Sequence, residues 1–273
     1  MIRMLLSVLV PARRRRLQRY IPQPNRAGKV LGITTLLDCR PAIPSPTMKP
    51  RATTAALVPV RALNEAKRRL SSELGAPERE QLTLEMLRDM LGALAAAPSL
   101  GRIVVVSTDR TVLAEAERLG AETLHELEPK GLNGAVAWAA HELERSGVRT
   151  LLTIPGDVPL IAPADIERLL AIALPRYPVV LVPSASGTGT NALLTSPPTI
   201  IDPAFEGLSL AAHREACRRN GLAFRTLRLG GFALDVDTPD DFMELARRGG
   251  GCFSGRFATR ALQRRTPPDQ ASG

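Results

Sequence analysis

Thr150-Leu151-Leu152-Thr153-Ile154-Pro155-Gly156-Asp157-Val158-Pro159-Leu160 is the stretch on which the fold turns. Its first five residues, apolar or β-branched throughout, suit a strand buried on both faces. Pro155-Gly156 ends that strand, because proline has no N–H for a ladder and glycine turns the chain without steric cost. Asp157 then stands just past the strand end. A helix over Asp165–Leu174 and a further apolar strand over Val179–Val182 complete a strand–helix–strand unit.

The same alternation extends outward. Ala56-Leu57-Val58-Pro59-Val60 reads as the first strand. Pro77 at a first helical position, with Glu78 and Glu80 beside it, opens a helix of about twenty residues whose apolar positions run Leu82, Met86, Leu87, Met90, Leu91 and Leu94. Ile103–Val106 is a second strand ending at Ser107-Thr108-Asp109. A helix over Val112–Leu119, a short strand near Thr123-Leu124 and a helix over Ala135–Leu143 follow, and Ala192-Leu193-Leu194 reads as another strand. The pattern predicts an α/β fold, a mostly parallel sheet flanked by helices. In such sheets ligands bind beyond the carboxyl ends of the strands.

The chain of 273 residues has a formal charge of +9, which taken whole suggests a polyanionic partner. Its distribution argues otherwise. Residues 1–50 hold ten basic side chains and one acidic one, residues 247–273 hold six and one, and the stretch between carries −5. This distribution argues against a basic globular nucleic-acid binder, and 3% aromatic content argues against a base-stacking one. No apolar run reaches the length of a membrane span, so no membrane partner is expected. Cys39, Cys217 and Cys252 lack metal spacing and suit a reducing cytoplasm.

Residues 1–50 are expected to be a disordered extension: Met4–Val10 precedes the Arg13–Arg16 run, the reverse of a secretory signal, and Pro41, Pro44, Pro46 and Pro50 form a linker. Met48 is the expected natural start. The folded body is assigned to 51–248, and Gly249-Gly250-Gly251 opens an expected disordered basic tail over 249–273.

Several residues carry chemistry. Asp157, at the strand end, suits a hard cation such as Mg2+. Asp235-Val236-Asp237 on extended chain puts two carboxylates on one side, about 6–7 Å apart, where they repel unless a cation intervenes. Thr238-Pro239-Asp240-Asp241 reads instead as a helix start, an N-cap with proline and acids in the first turn. Gly187-Thr188-Gly189-Thr190-Asn191 lacks the third glycine of a dinucleotide fingerprint and precedes a strand, leaving a loop whose N–H groups and hydroxyls could cradle an anion. Lys67 and Arg69 follow the first strand, where they could face a triphosphate or simply solvent. Asn133 opens a helix, either contacting a nucleotide or capping. His125, His141 and His213 have no partner at informative spacing, and no nucleophile motif is present.

Together these segments resemble the 2-phospho-L-lactate, phosphoenolpyruvate or 3-phospho-D-glycerate guanylyltransferase family of coenzyme F-420 biosynthesis. The matching stretches are Val58–Leu70, Gly131–Gly134, Pro155–Leu160, Gly187–Leu194, Phe205–His213 and Asp235–Asp241, spanning about residues 54–247. The resemblance implies a nucleotide-diphospho-sugar-transferase-like, Rossmann-like fold and condensation of GTP with a phosphorylated three-carbon acid, releasing pyrophosphate. It implies Asp157, Asp235 and Asp237 as Mg2+-binding acids, and Lys67 and Arg69 as the basic loop at the nucleotide phosphates. Thr190 and Ser209 fall at acid-binding positions, with Gly189, Asn133 and Glu206 as further substrate contacts. A homodimer and hand-over to the next biosynthetic transferase are arrangements it allows. Where the family reads Phe-Gly-x-x-Ser, this chain has Phe205-Glu206-Gly207-Leu208-Ser209, adding bulk and negative charge. The acid is expected to be 3-phospho-D-glycerate, then phosphoenolpyruvate. A nucleotidyltransferase loading another cofactor or sugar phosphate, and an inactive nucleotide-binding module, are the competing readings.

Overall fold

A computed structural model describes residues 53–128, 130–173 and 176–265. The expected extension over residues 1–50, Met48 and Cys39 lie outside them.

Seven strands form one sheet in the order β3-β2-β1-β4-β6-β5-β7. They are β1 (Thr54–Pro59), β2 (Arg102–Ser107), β3 (Glu122–His125), β4 (Thr150–Thr153), β5 (Val179–Pro183), β6 (Thr190–Thr195) and β7 (Phe224–Thr226). Parallel pairing joins β1 to β2 and β4, β2 to β3, and β5 to β7. Only β6 runs against its neighbours β4 and β5. The helices are α1 (Ala76–Ala95), α2 (Arg110–Arg118), α3 (Gly131–Arg145), α4 (Pro163–Ala173), α5 (Ser209–Arg219), α6 (Pro239–Arg248) and α7 (Phe253–Arg265). The predicted α/β class holds, with β7, α5 and α7 added to the elements the sequence pattern marks.

Alternation along β1 divides its side chains between two layers. Ala56 and Val58 pack with Leu87, Met90, Leu91 and Leu94 of α1 and with Val112 and Ala116 of α2. Ala55 and Leu57 pack with Ala135, Val136, Ala139 and Leu143 of α3. Both faces are covered, which is why β1, β4, β5 and β6 read as nearly continuous apolar runs.

The carboxyl end corrects one expectation. Residues 253–265, expected as part of a disordered tail, form α7. Phe257, Ala258 and Ala261 are buried against Leu82, Met86, Phe242 and Leu245. Asp89 of α1 caps α7, accepting the N–H groups of Phe253 and Ser254, each at 2.8 Å, and the Ser254 hydroxyl at 2.6 Å. Two of the α7 arginines have specific acidic partners: Arg264 pairs with Glu78 at 2.8 Å, and Arg265 with Glu73. A Cβ on Gly255 would lie 2.0 Å from the Gly249 carbonyl oxygen, so the corner between α6 and α7 requires glycine there. Composition suggested solvated chain; complementary charge and an apolar stripe dock it instead.

Candidate active site

Because β1 and β4 are parallel, both end at the same edge of the sheet. Antiparallel β6 starts at that edge, its Thr190 opposite Pro183 at the end of β5. The segments following β1, β4 and β5 and preceding β6 therefore meet there. They line a cavity of about 670 Å³ together with the start of α5 and the stretch Asp235–Asp237. Gly156 allows the close approach of two of these loops: a Cβ would lie 2.9 Å from Val60 Cγ2 and 3.1 Å from the Pro59 carbonyl oxygen.

One wall is a carboxylate cluster built around a lysine. Lys67 Nζ donates to Asp237 Oδ1 at 2.9 Å and to Asp157 Oδ2 at 3.2 Å. Its side chain is 9% exposed. Burial disfavours the ammonium, but Asp157 and Asp237 outweigh it and raise the Lys67 pKa above the usual lysine value. Burial likewise opposes ionisation of Asp237, yet Lys67, then Arg69 and Arg61, hold its carboxyl below the usual range. Lys67 also adopts the left-handed conformation, φ 51°, the one described non-glycine residue to do so. Such backbone is held only by its surroundings, and the two carboxylates are the anchor.

Asp235 differs. Among the described residues it forms no ion pair; Asn191 donates to its Oδ1 at 3.1 Å. Burial, with the charges of Asp157 and Asp237, raises its carboxyl above the usual value despite that bond. Val236 between them is fully buried, so Asp235 and Asp237 both face the cavity as the period of two predicts. Thr238 caps α6 with Asp241 returning to its backbone N–H, as expected.

The donor chemistry suits Mg2+: three carboxylates on one cavity, one of them half-buried without a counter-charge. Among the described residues, however, no three acid, histidine or cysteine side chains are gathered tightly enough to hold an ion as they stand. The Lys67 ammonium is the cation now lying between Asp157 and Asp237.

A second wall presents hydroxyls. Thr190 and Ser209 are both buried and line the cavity. The Thr190 N–H donates to Ser209 Oγ at 2.7 Å, and the Leu210 N–H to the Thr188 carbonyl, tying the start of β6 to the start of α5. The expected amide cradle is not what the loop offers. Its N–H groups bond internally: Gly187 to the Ser184 carbonyl, Thr188 to Ser186 Oγ, Gly189 to Ser184 Oγ. Side-chain hydroxyls remain as the polar groups. His213, fully buried, lies 3.0 Å from Thr190 Oγ1 through Nδ1. Burial pushes its imidazole down to about 4, against a weaker upward pull from a backbone hydrogen bond at Ser209.

Lys67, Arg69, Asp157, Gly189, Thr190, Glu206, Ser209, Asp235 and Asp237 all line the one cavity. Asn133 does not. Its Oδ1 accepts the Phe205 N–H at 2.7 Å, so it holds the start of the Phe205–Ser209 loop. Glu206 faces the cavity, and Gly207 beside it takes the left-handed turn, φ 63°. Sequence reasoning missed Arg61, Arg68 and the Ser184-Ser186 hydroxyls, which also line the cavity. Arg61 carried a visible signal, a cation directly after β1.

The chain is similar to known proteins along this whole region. The family model described as "Guanylyl transferase CofC like" matches residues 54–272. A phosphoenolpyruvate guanylyltransferase of Sphaerobacter thermophilus is 43% identical over 71% of this chain and 93% of its own. A 2-phospho-L-lactate guanylyltransferase of Methanocaldococcus jannaschii is 34% identical over 74% of this chain and 86% of its own. Among solved structures, a nucleotide-diphospho-sugar-transferase-type protein from Desulfovibrio desulfuricans G20 superposes with a TM-score of 0.65 at 17% identity. That match covers 77% of this chain and 96% of the other, and it carries the fold alone. With the family match running past α7 and the expected acids, basic loop and hydroxyls on one cavity, the chain belongs to the CofC-like guanylyltransferase family of coenzyme F-420 biosynthesis.

Proposed function

We propose that the enzyme condenses GTP with phosphoenolpyruvate and releases pyrophosphate, in the cytoplasm, where its scattered cysteines suit a reducing medium. The observation that carries the reading is the cavity itself, with a lysine-bridged carboxylate cluster on one wall and hydroxyl donors on another. Relatives named phosphoenolpyruvate guanylyltransferase at 43% and 40% identity support this acid ahead of 3-phospho-D-glycerate.

In the reaction, a phosphate oxygen of the acid attacks the α-phosphorus of GTP, and the bond to the bridging oxygen of the β-phosphate breaks. Both reactants are anions, so their approach is the main obstacle. Arg61 and Arg69 attract the triphosphate and stabilise the departing pyrophosphate, with Lys67 beside them. Thr190 and Ser209 orient the acid by hydrogen bonds. The attacking oxygen is already anionic, so no general base is required, in keeping with a buried, weakly basic His213. Asp157, Asp235 and Asp237 would hold Mg2+, whose chemistry is to neutralise phosphate charge.

The test offers GTP, Mg2+ and equal amounts of phosphoenolpyruvate, 2-phospho-L-lactate and 3-phospho-D-glycerate, and weighs the products by mass spectrometry. The guanylylated enolpyruvate is expected to dominate. A dominant product from either other acid overturns the substrate assignment, and no guanylylated product at all overturns the activity.

A further inference from the structure

We propose that His213 is a positioning residue: with its ring proton on Nδ1, it makes the Thr190 hydroxyl a hydrogen-bond donor directed at the phospho-acid. The inference rests on the proposed function for the place of the acid, and on hydrogen-bond geometry for the rest.

The ring's two nitrogens have unlike partners. Nε2 lies 2.9 Å from the backbone nitrogen of Ala204. That N–H can only donate, so Nε2 must present its lone pair. A neutral imidazole then carries its proton on Nδ1. Nδ1 is 3.0 Å from Thr190 Oγ1, with the Ser209 backbone as a second partner of the ring; once protonated, Nδ1 has no lone pair to take the Thr190 proton, and Thr190 Oγ1 can only accept from it. An oxygen that accepts from the ring cannot also donate to it, and its own proton is left for another acceptor. Thr190 lines the cavity, so that acceptor is the substrate.

Ser209 is set the same way. Its Oγ accepts the Thr190 N–H at 2.7 Å, which leaves its proton free of Thr190. Two hydroxyls from different elements, one at the start of β6 and one at the start of α5, thus meet an anion as donors. The low basicity of the buried ring keeps a second proton off Nε2 at neutral pH. Phe205 packs edge-on against the imidazole, with centroids 5.1 Å apart at 73°, and restrains its rotation. The same ring holds the loop at Ala204 and the hydroxyl at Thr190, so loop position and donor direction are set together.

The experiment has two arms on the full chain. Long-range 1H–15N spectra of histidine-labelled protein at pH 7 report the tautomer, with His213 assigned by losing the other signals in His125→Gln and His141→Gln. A protonated Nδ1 is expected; a protonated Nε2 overturns the proposal. The second arm measures KM for phosphoenolpyruvate and for GTP in H213N, H213Q and H213L. Asparagine can place an N–H where Nδ1 stood and should stay within about threefold of wild type. Glutamine and leucine cannot, and should raise KM for the acid about tenfold, the worth of one mis-set hydrogen bond, with KM for GTP unchanged. A folded H213L with wild-type KM, or equal rises for both substrates, overturns it. If wild type turns over none of the phospho-acids, the reading of the site fails and takes the acid's place beside Thr190 with it. The spectrum then decides the tautomer alone.

Discussion

The Val236 N–H donates to the Asp157 carbonyl at 3.0 Å. This bond joins chain that follows β4 to chain that precedes α6, and it brings three aspartates from two distant segments to one cavity. Their placement is thus held by backbone, while Lys67 and Asn191 hold the carboxylates themselves.

Asp235 is the carboxylate whose burial is least compensated. Asp235→Asn keeps the Asn191 contact and removes the charge. Turnover should fall by about 100-fold or more, as for loss of one electrostatic stabiliser. The melting temperature without divalent cation should stay level or rise. Wild-type turnover in the folded variant, at limiting Mg2+, would disprove the role.

Lys67→Met removes the cation shared by Asp157 and Asp237. With Asp237 46% exposed, the loss is discounted from that of a fully buried pair to roughly 1–3 kcal/mol. Added Mg2+ should raise the melting temperature of this variant more than that of wild type, because a second cation fills the same electrostatic demand. Equal shifts would count against the carboxylates as its binding site.

His213 sets a pH dependence of stability. Folded, it refuses a proton until about pH 4, while unfolded it accepts one near 6.5. The unfolded state therefore binds more protons between those values, and stability falls as pH drops through that window, by roughly 3 kcal/mol in all. Above pH 6.5 the contribution is complete. Denaturant melts at pH 4.5 and 7 in wild type and H213N should differ by this component, present in the first and absent in the second.

A chain ended at Arg248 loses α7 and uncovers its contacts with α1 and α6. The lost burial of Phe257, Ala258 and Ala261 is worth about 4 kcal/mol. Melting should fall by roughly 10 °C or more. Asp89→Ala, which removes only the cap, should cost about 1–2 kcal/mol. A truncated chain with unchanged melting would mean that α7 adds nothing to the body.

What the sequence made legible was whatever depended on neighbours. Asp157 past its strand, the alternation at Asp235 and Asp237, and the cap at Thr238 are local patterns. Lys67 was legible as a cation after β1, but its partners lie 90 and 170 residues away, so its bridging position was not. His213 has no marker of its own, since its meaning comes from a backbone N–H and from a threonine 23 residues distant. Asn133 read as either a nucleotide contact or a helix cap, because nothing local announces the Phe205 N–H that it accepts. Residues 253–265 misled through composition: arginines that suggest solvated chain are here matched to Glu73 and Glu78.

The reversed direction of β6 gives the protein a ruler. Thr190 and Asn191 are consecutive, one turned to His213 and the other to Asp235. The separation between the buried hydroxyl of Thr190 and the carboxylates is therefore one peptide step, graduated in covalent bonds rather than in packing. A one-residue slip of β6 would exchange the two side chains and dismantle both halves at once.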